Sequence, residues 1–189
     1  MKIGFDAKRA LHNNRGLGNF SRTLLAGFEK LSSQHQFHLY SPIVKKKNFL
    51  DWMNEHQFFN YHFPSNELLK RIPSVWRSLL LTKDLVRDEL DLYHGLSHEL
   101  PPGIEKTNIK SVVTIHDLIY LRFPHYFSKI DRNIFNIKFR KSCQRADQIV
   151  AICQQTKDDL INFFNIEPDR IAVQYQACHQ TLYILLIYF

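Results

Sequence analysis

The sequence predicts an α/β fold with a doubly wound, mostly parallel sheet, and three observations point there. The strand-like segments are short, uninterrupted apolar runs such as Ser111-Val-Val-Thr-Ile-His116, the pattern of strands buried on both faces rather than of a sheet with one wet side. Between them lie stretches whose apolar residues recur at three-and-four spacing, as in helices that cover a sheet. The chain has 189 residues, 44% hydrophobic and 23% charged, which suits one core with at most a small appendage and excludes a disordered, collagen-like or low-complexity protein.

Taken in order, Lys2–Ala7 reads as a short buried strand, and the polar, glycine-bearing stretch His12–Gly18 as a loop. Leu17, Phe20, Leu24, Phe28 and Leu31 then fall on one helical face. Phe37–Ser41, closed by Pro42, and Phe58–Phe63, closed by Pro64, are strands, with Lys45-Lys46-Lys47 in a polar connection between them. Asn66–Leu90 carries Leu68, Leu69, Ile72, Val75, Trp76, Leu79, Leu80 and Val86 at helical spacing, broken or restarted at Pro73. Asp91–His94 is a short strand, and Gly95–Gly103, with Pro101-Pro102, a loop. Ser111–His116 is the clearest strand. Ser128 followed by Asp131 starts a helix running to about Ala146. Gln148–Cys153 is another buried strand, Thr156–Phe164 a short helix, and Ile171–Tyr175 a last strand after Pro168.

Cys143, Cys153 and Cys178 are an odd, widely spaced set with no Cys-x-x-Cys pair, which argues against a disulfide framework or a zinc site and for a reducing, cytoplasmic setting. No signal-peptide apolar region follows Met1-Lys2, and the longest apolar run, Leu182–Phe189, is too short to span a bilayer. The net charge of +7 and isoelectric point near 9.3 attract nucleic acid, acidic lipid headgroups or phosphorylated substrates. Only that charge supports a nucleic-acid binder. Gly-x-Ser-x-Gly, P-loop and His-Glu-x-x-His patterns do not occur, so hydrolase, nucleoside-triphosphatase and zinc-protease chemistry have no support.

In a parallel sheet ligands gather at the carboxyl ends of the strands, which directs attention to the residues just after each one. Arg15-Gly16-Leu17-Gly18 opens a helix, where glycines admit a ligand close to the backbone and unpaired amides favour an anion. The alternative is two glycines that make a tight loop. The dinucleotide fingerprint is not met: Ser21 stands at the third glycine and the second strand ends Tyr40-Ser41-Pro42 without a carboxylate, so a nicotinamide cofactor is not expected. His116-Asp117 ends the strongest strand, where histidine can donate or accept a hydrogen bond and aspartate can orient it or cap the next segment. His94-Gly95 and His98 form a second polar cluster; with only Glu99 as a third ligand on a loop, metal binding is disfavoured. The aromatic and basic stretch Lys45–Phe63, with Lys70, Arg71, Arg77, Lys83 and Arg87, reads either as a face for an anionic membrane or long acidic substrate, or as an ordinary solvated helix face.

Read together, five motifs in order resemble the amino-terminal half of the retaining, GT-B-fold group 1 glycosyltransferases. They are Ile3-Gly-Phe-Asp-Ala7 with Arg15-Gly-Leu-Gly-Asn-Phe-Ser-Arg22; Asp91-Leu-Tyr-His-Gly95 with Leu100-Pro-Pro102; and Val113-Thr-Ile-His-Asp-Leu118 with Phe123-Pro-His-Tyr-Phe-Ser128. Arg145-Ala-Asp-Gln-Ile-Val-Ala-Ile152 with Thr156-Lys-Asp-Asp-Leu160, and Ile166-Glu-Pro-Asp-Arg-Ile171, complete the set.

The resemblance implies two Rossmann-like halves facing across a cleft, the first binding the acceptor and the second the nucleotide-sugar donor. By that analogy Gly16 and Gly18 lie near the donor's diphosphate, His116 close to the transferred sugar as the catalytic residue, and Asp117 with the His94 loop beside the acceptor. Such enzymes need no metal, because basic groups and helix termini offset the leaving charge. Cys153 replaces the family's serine after the Ala-Ile strand. The expected division is a domain over residues 1–177 and an atypical apolar tail over 178–189, with the donor-binding half absent and the chain alone inactive. The expected partners are the nucleotide-sugar, a glycan or lipid-linked acceptor of cell-surface polysaccharide, the inner membrane face, and a second copy held through the tail or the cleft face. A non-catalytic sugar- or anion-binding module, or one subunit of a split enzyme, is the competing expectation.

Overall fold

The structure, a computed structural model, describes residues 1–31, 34–66, 69–70 and 72–176. Leu68, Arg71, Cys178 and the tail 178–189 lie outside the described residues.

Strand β1 (Lys2–Asp6) leads into a short helix α1 (Lys8–His12) and then α2 (Gly16–Leu31). Of the expected loop His12–Gly18, residues 12 and 16–18 are thus helical and residues 13–15 join the two helices, while Ala10 and Leu11 are the buried residues of α1. After β2 (Gln36–Tyr40) comes α3 (Lys47–Glu55), where a polar connection was expected. Its signal was present: Phe49, Trp52 and Met53 at helical spacing pack onto the core beside Leu25 and Phe37. The third strand, β3 (Asn60–His62), is shorter than its apolar run.

Helix α4 (residues 73–87) starts at Pro73, as its fixed φ and missing amide favour. It winds one π-turn over Trp76–Leu80 before finishing as Leu81–Arg87. Strands β4 (Leu92–Gly95) and β5 (Lys110–Ile115) follow, then an unforeseen short helix α5 (Ile119–Arg122). Helix α6 (Lys129–Arg145) begins as the sequence predicts: the Ser128 hydroxyl accepts the Asp131 amide at 3.1 Å and donates to the Asp131 carboxylate at 2.7 Å. Strand β6 (Gln148–Ala151), α7 (Gln154–Phe164) and β7 (Ile171–Val173) complete the described elements.

All seven strands are parallel, in the order β3-β2-β1-β4-β5-β6-β7, which bears out the doubly wound α/β class. The order reverses between β1 and β4, the neighbouring strands beside which open α/β sheets place their ligands. Two cores sandwich the sheet. One, around Phe5, Leu25 and Phe37, lies under α1, α2 and α3; the other, around Trp76, Leu85, Val113 and Leu160, lies under α4, α6 and α7. Among the described residues no helix is long and apolar enough to cross a membrane.

Candidate active site at the strand carboxyl ends

The end of β5 delivers His116 into the space beside the first turns of α2. The residue is 6% exposed, and its ring meets Phe20 in a T-shaped contact with centroids 4.8 Å apart and planes at 88°. Its Nε2 lies 2.9 Å from the Leu96 carbonyl oxygen, which can only accept, so Nε2 carries the proton. Nδ1 is therefore the lone-pair nitrogen, and it accepts from the Gln176 amide at 3.0 Å. Burial pushes the His116 pKa down, only partly offset by the Leu96 carbonyl and Asp117, so the imidazole is neutral near pH 7. The Thr156 hydroxyl donates to the His116 carbonyl at 3.1 Å and touches Cys153 Sγ at 3.3 Å, so this strand end keeps a hydroxyl contact despite the cysteine.

The Arg15–Gly18 segment sits at the amino terminus of α2, but its two glycines have different roles. A Cβ on Gly18 would run into the Asn13 carbonyl oxygen; the missing side chain lets the turn after α1 pack on α2. Gly16 has open space around it, so it is the glycine whose backbone a ligand can approach. Arg22 holds this geometry by donating to the carbonyl oxygens of Ala10 at 2.6 Å and Asn13 at 2.9 Å. Arg15 is exposed at the mouth, its amide on Asn13 Oδ1 at 2.6 Å, while the Leu17 carbonyl accepts from the Ser21 hydroxyl.

The end of β4, the loop after it and the residue after His116 carry the remaining predicted residues, and they separate. His94 hydrogen-bonds Thr114 Oγ1 at 2.8 Å, and burial, then His116, lowers its pKa to about 4. Gly95 is covered by the Glu99 carbonyl, which a Cβ there would strike, so its backbone faces protein. His98 adopts a left-handed φ of 65°, donates its amide to Thr114 at 2.9 Å and lies 5.1 Å from the His116 ring. The Asp117 carboxylate accepts the Ile119 amide at 3.2 Å, bracing the turn into α5. Among the described residues no three histidine, cysteine or carboxylate side chains converge as metal ligands.

Sequence reasoning missed four contributors. Arg9 on α1 is near enough to depress both His98 and His116, adding positive charge beside the α2 terminus. Gln176 reaches His116 across 60 residues of sequence, and Arg22 stood inside a quoted motif without a role. Arg77, placed on a basic surface face by its sequence neighbours, turns inward to Asp6 at 2.5 Å and Glu99 at 3.6 Å. Burial disfavours its charge, but the two carboxylates outweigh that and hold it cationic. Lys70 and Arg77 excepted, the membrane-facing assignment keeps only exposed lysines and Arg87, with Lys83 and Lys45–Lys47 among them.

A neutral hydrogen-bonding imidazole, an open helix terminus and flanking arginines suit a sugar hydroxyl and a phosphate together. Residues 29% identical over a 94-residue stretch, 49% of this chain and 24% of the relative, are shared with the O-antigen chain mannosyltransferase B of Escherichia coli; the chain therefore spans well under two thirds of that protein. A glycosyltransferase from Rickettsia africae ESF-5 aligns over 94% of this chain and 43% of its own, at 13% identity and a TM-score of 0.49. The model of Glycosyltransferase Family 4 matches residues 15–178, from the α2 turn through every later strand, and to that family the chain belongs.

Proposed function

We propose that this chain is the acceptor-side, amino-terminal domain of a retaining glycosyltransferase that moves a sugar from a nucleotide-sugar to a glycan or lipid-linked acceptor in cell-surface polysaccharide synthesis. The observation that carries the reading is His116, with Nδ1 on the Gln176 amide and its ring against Phe20 of α2, the helix that the open Gly16 begins. Nδ1 would accept a hydroxyl of the transferred sugar, and the amides of Gly16 and Leu17 with Arg9 would face the diphosphate. Kinship with a mannosyltransferase makes mannose the first sugar to test.

The test is an amide NMR titration of the 189-residue chain with GDP-mannose, UDP-glucose and mannose oligosaccharides. Perturbation of Gly16, Leu17 and His116, lost in His116→Ala, is the expected result; no response there to any of these ligands overturns the reading. Glycan binding with no transfer in a native cell extract would instead favour a binding module. The cytoplasmic membrane surface is the proposed setting. The exposed lysines Lys45, Lys46 and Lys47 stand next to Leu50, 40% exposed, which supports contact with anionic lipid. Flotation with phosphatidylglycerol vesicles, absent with phosphatidylcholine, checks this.

A further inference from the structure

The loop after β4 passes from one core to the other within residues 96–98. Leu96 is fully buried in the core around Phe5, Leu25 and Phe37, whereas His98 lies against Phe139 of α6, a ring that packs on the opposite core. Ser97 between them is buried as well.

Two hydrogen bonds fasten this crossing to the end of β5. The His98 amide donates to the Thr114 carbonyl at 2.9 Å, and His116 Nε2 donates to the Leu96 carbonyl at 2.9 Å. Loop residues 98 and 96 thus pair with residues 114 and 116, so the direction of the Leu96 carbonyl depends on the path the chain takes through His98. That path is left-handed, with φ 65° at His98, a conformation that residues with a side chain seldom adopt and that points to a functional constraint. The imidazole is held by stacking: its centroid is 4.3 Å from that of Phe139 with planes 6° apart, and Phe139 is braced by Tyr120 at 5.6 Å and Phe135 at 5.8 Å. The His98 ring acts through packing, since its buried Nδ1 has no hydrogen-bond partner among the described residues, and it lies 5.1 Å from the His116 ring.

We propose that His98 is a positioning residue for His116: stacked on Phe139, it holds the loop so that the Leu96 carbonyl accepts from His116 Nε2 and Nδ1 is left as the lone-pair nitrogen. Which ring nitrogen of a neutral histidine carries the proton is set by the hydrogen bond the other part of the ring makes, so a loop that loses its path loses the tautomer. With the proton on Nδ1 the ring can no longer accept a hydroxyl there. That the lone pair serves a sugar hydroxyl rests on the reading above; that His98 fixes the tautomer does not.

The experiment is ring-nitrogen NMR of the full 189-residue chain without ligand, with thermal unfolding beside it. In the parent chain His116 should show one protonated and one bare nitrogen, far apart in shift. His98→Ala and Phe139→Leu should each draw the two signals together as the tautomers mix, while His98→Phe, which keeps a flat ring on Phe139, should leave them apart. Phe139→Leu leaves His98 itself in place and decides the matter should His98→Ala fail to fold. A lowered melting temperature with the His116 signals unchanged in both variants is what a merely structural role would give, and it overturns the proposal; so does a mixed tautomer in His98→Phe. A second arm titrates GDP-mannose, whose affinity should fall about fivefold in Phe139→Leu, the worth of one hydrogen bond. Affinity lost in His98→Phe with the tautomer intact would make His98 a ligand contact and overturn the positioning role. No response of the parent chain to GDP-mannose would fail the sugar reading alone, because the ring spectra need no ligand.

Discussion

The imidazole of His98 lies flat on the ring of Phe139, with centroids 4.3 Å and planes 6° apart, and its buried Nδ1 has no hydrogen-bond partner among the described residues. The stack ties the loop after β4 to α6 and holds His98 in a backbone conformation that non-glycine residues seldom adopt. Burial, then His116 and Arg9, lowers the His98 pKa to about 3.

That shift makes the fold acid-sensitive. His38, His62, His94, His98 and His116 all have folded pKa values below the ordinary histidine value, each through burial first. The unfolded chain binds more protons, so stability is full above about pH 6.5 and falls as pH drops from there toward the folded values near 4 and 3. Urea denaturation at pH 7 and pH 5 should differ by roughly 1–2 kcal/mol for each of His94 and His98. Equal midpoints would refute this.

The two glycines of the α2 turn should behave oppositely. Gly18→Ala forces a methyl into the Asn13 carbonyl and should cost about 1–3 kcal/mol or more. Gly16→Ala meets nothing and should stay within about 0.5 kcal/mol of the parent in thermal unfolding.

Arg77 and Asp6 form a buried pair, so removing one partner strands the other. Arg77→Met leaves Asp6, 3% exposed, with the Lys8 amide as its remaining hydrogen-bond donor, and should destabilise by about 3–5 kcal/mol. Asp6→Asn should cost less, because Glu99 still faces Arg77. In the double variant the losses should fall well short of additive. Additive midpoints in urea would count against a coupled pair.

For His116 the predicted signature is spectroscopic. At pH 7 its ring nitrogens should show a protonated Nε2 and a bare Nδ1, because the Leu96 carbonyl can only accept. Gln176→Ala should leave that tautomer in place while shifting Nδ1 toward the value of a water-exposed nitrogen. The opposite tautomer would remove the proposed sugar contact.

The Ser128 cap offers a local check. Ser128→Ala should cost about 1 kcal/mol in thermal unfolding, while Ser128→Asp should recover most of it.

Much of this architecture was legible in the residues. Continuous apolar runs marked the strands, and Ser128 with Asp131 marked the start of α6 within a residue. Helix α3 was legible too, but three lysines drew attention away from Phe49, Trp52 and Met53 beside them. The site was only half legible. That His116 meets α2, the helix Gly16 and Leu17 open, follows from strand ends meeting on one edge of a parallel sheet, and the contact is made by Phe20. That Gly95 faces the Glu99 carbonyl instead of open space does not, since no local pattern reports which backbone will fold over a strand end.

The sequence by itself determined the class, the order of strands and helices, and the family motifs, because those depend on local periodicity and caps acting over a few residues. The tertiary structure alone decided which groups pair: Arg77 with Asp6 across 71 residues, and Gln176 with His116 across 60. Charge and hydrogen-bond energies depend on distances of a few ångströms and on exclusion of water, and both exist only once the sheet has closed between its two cores.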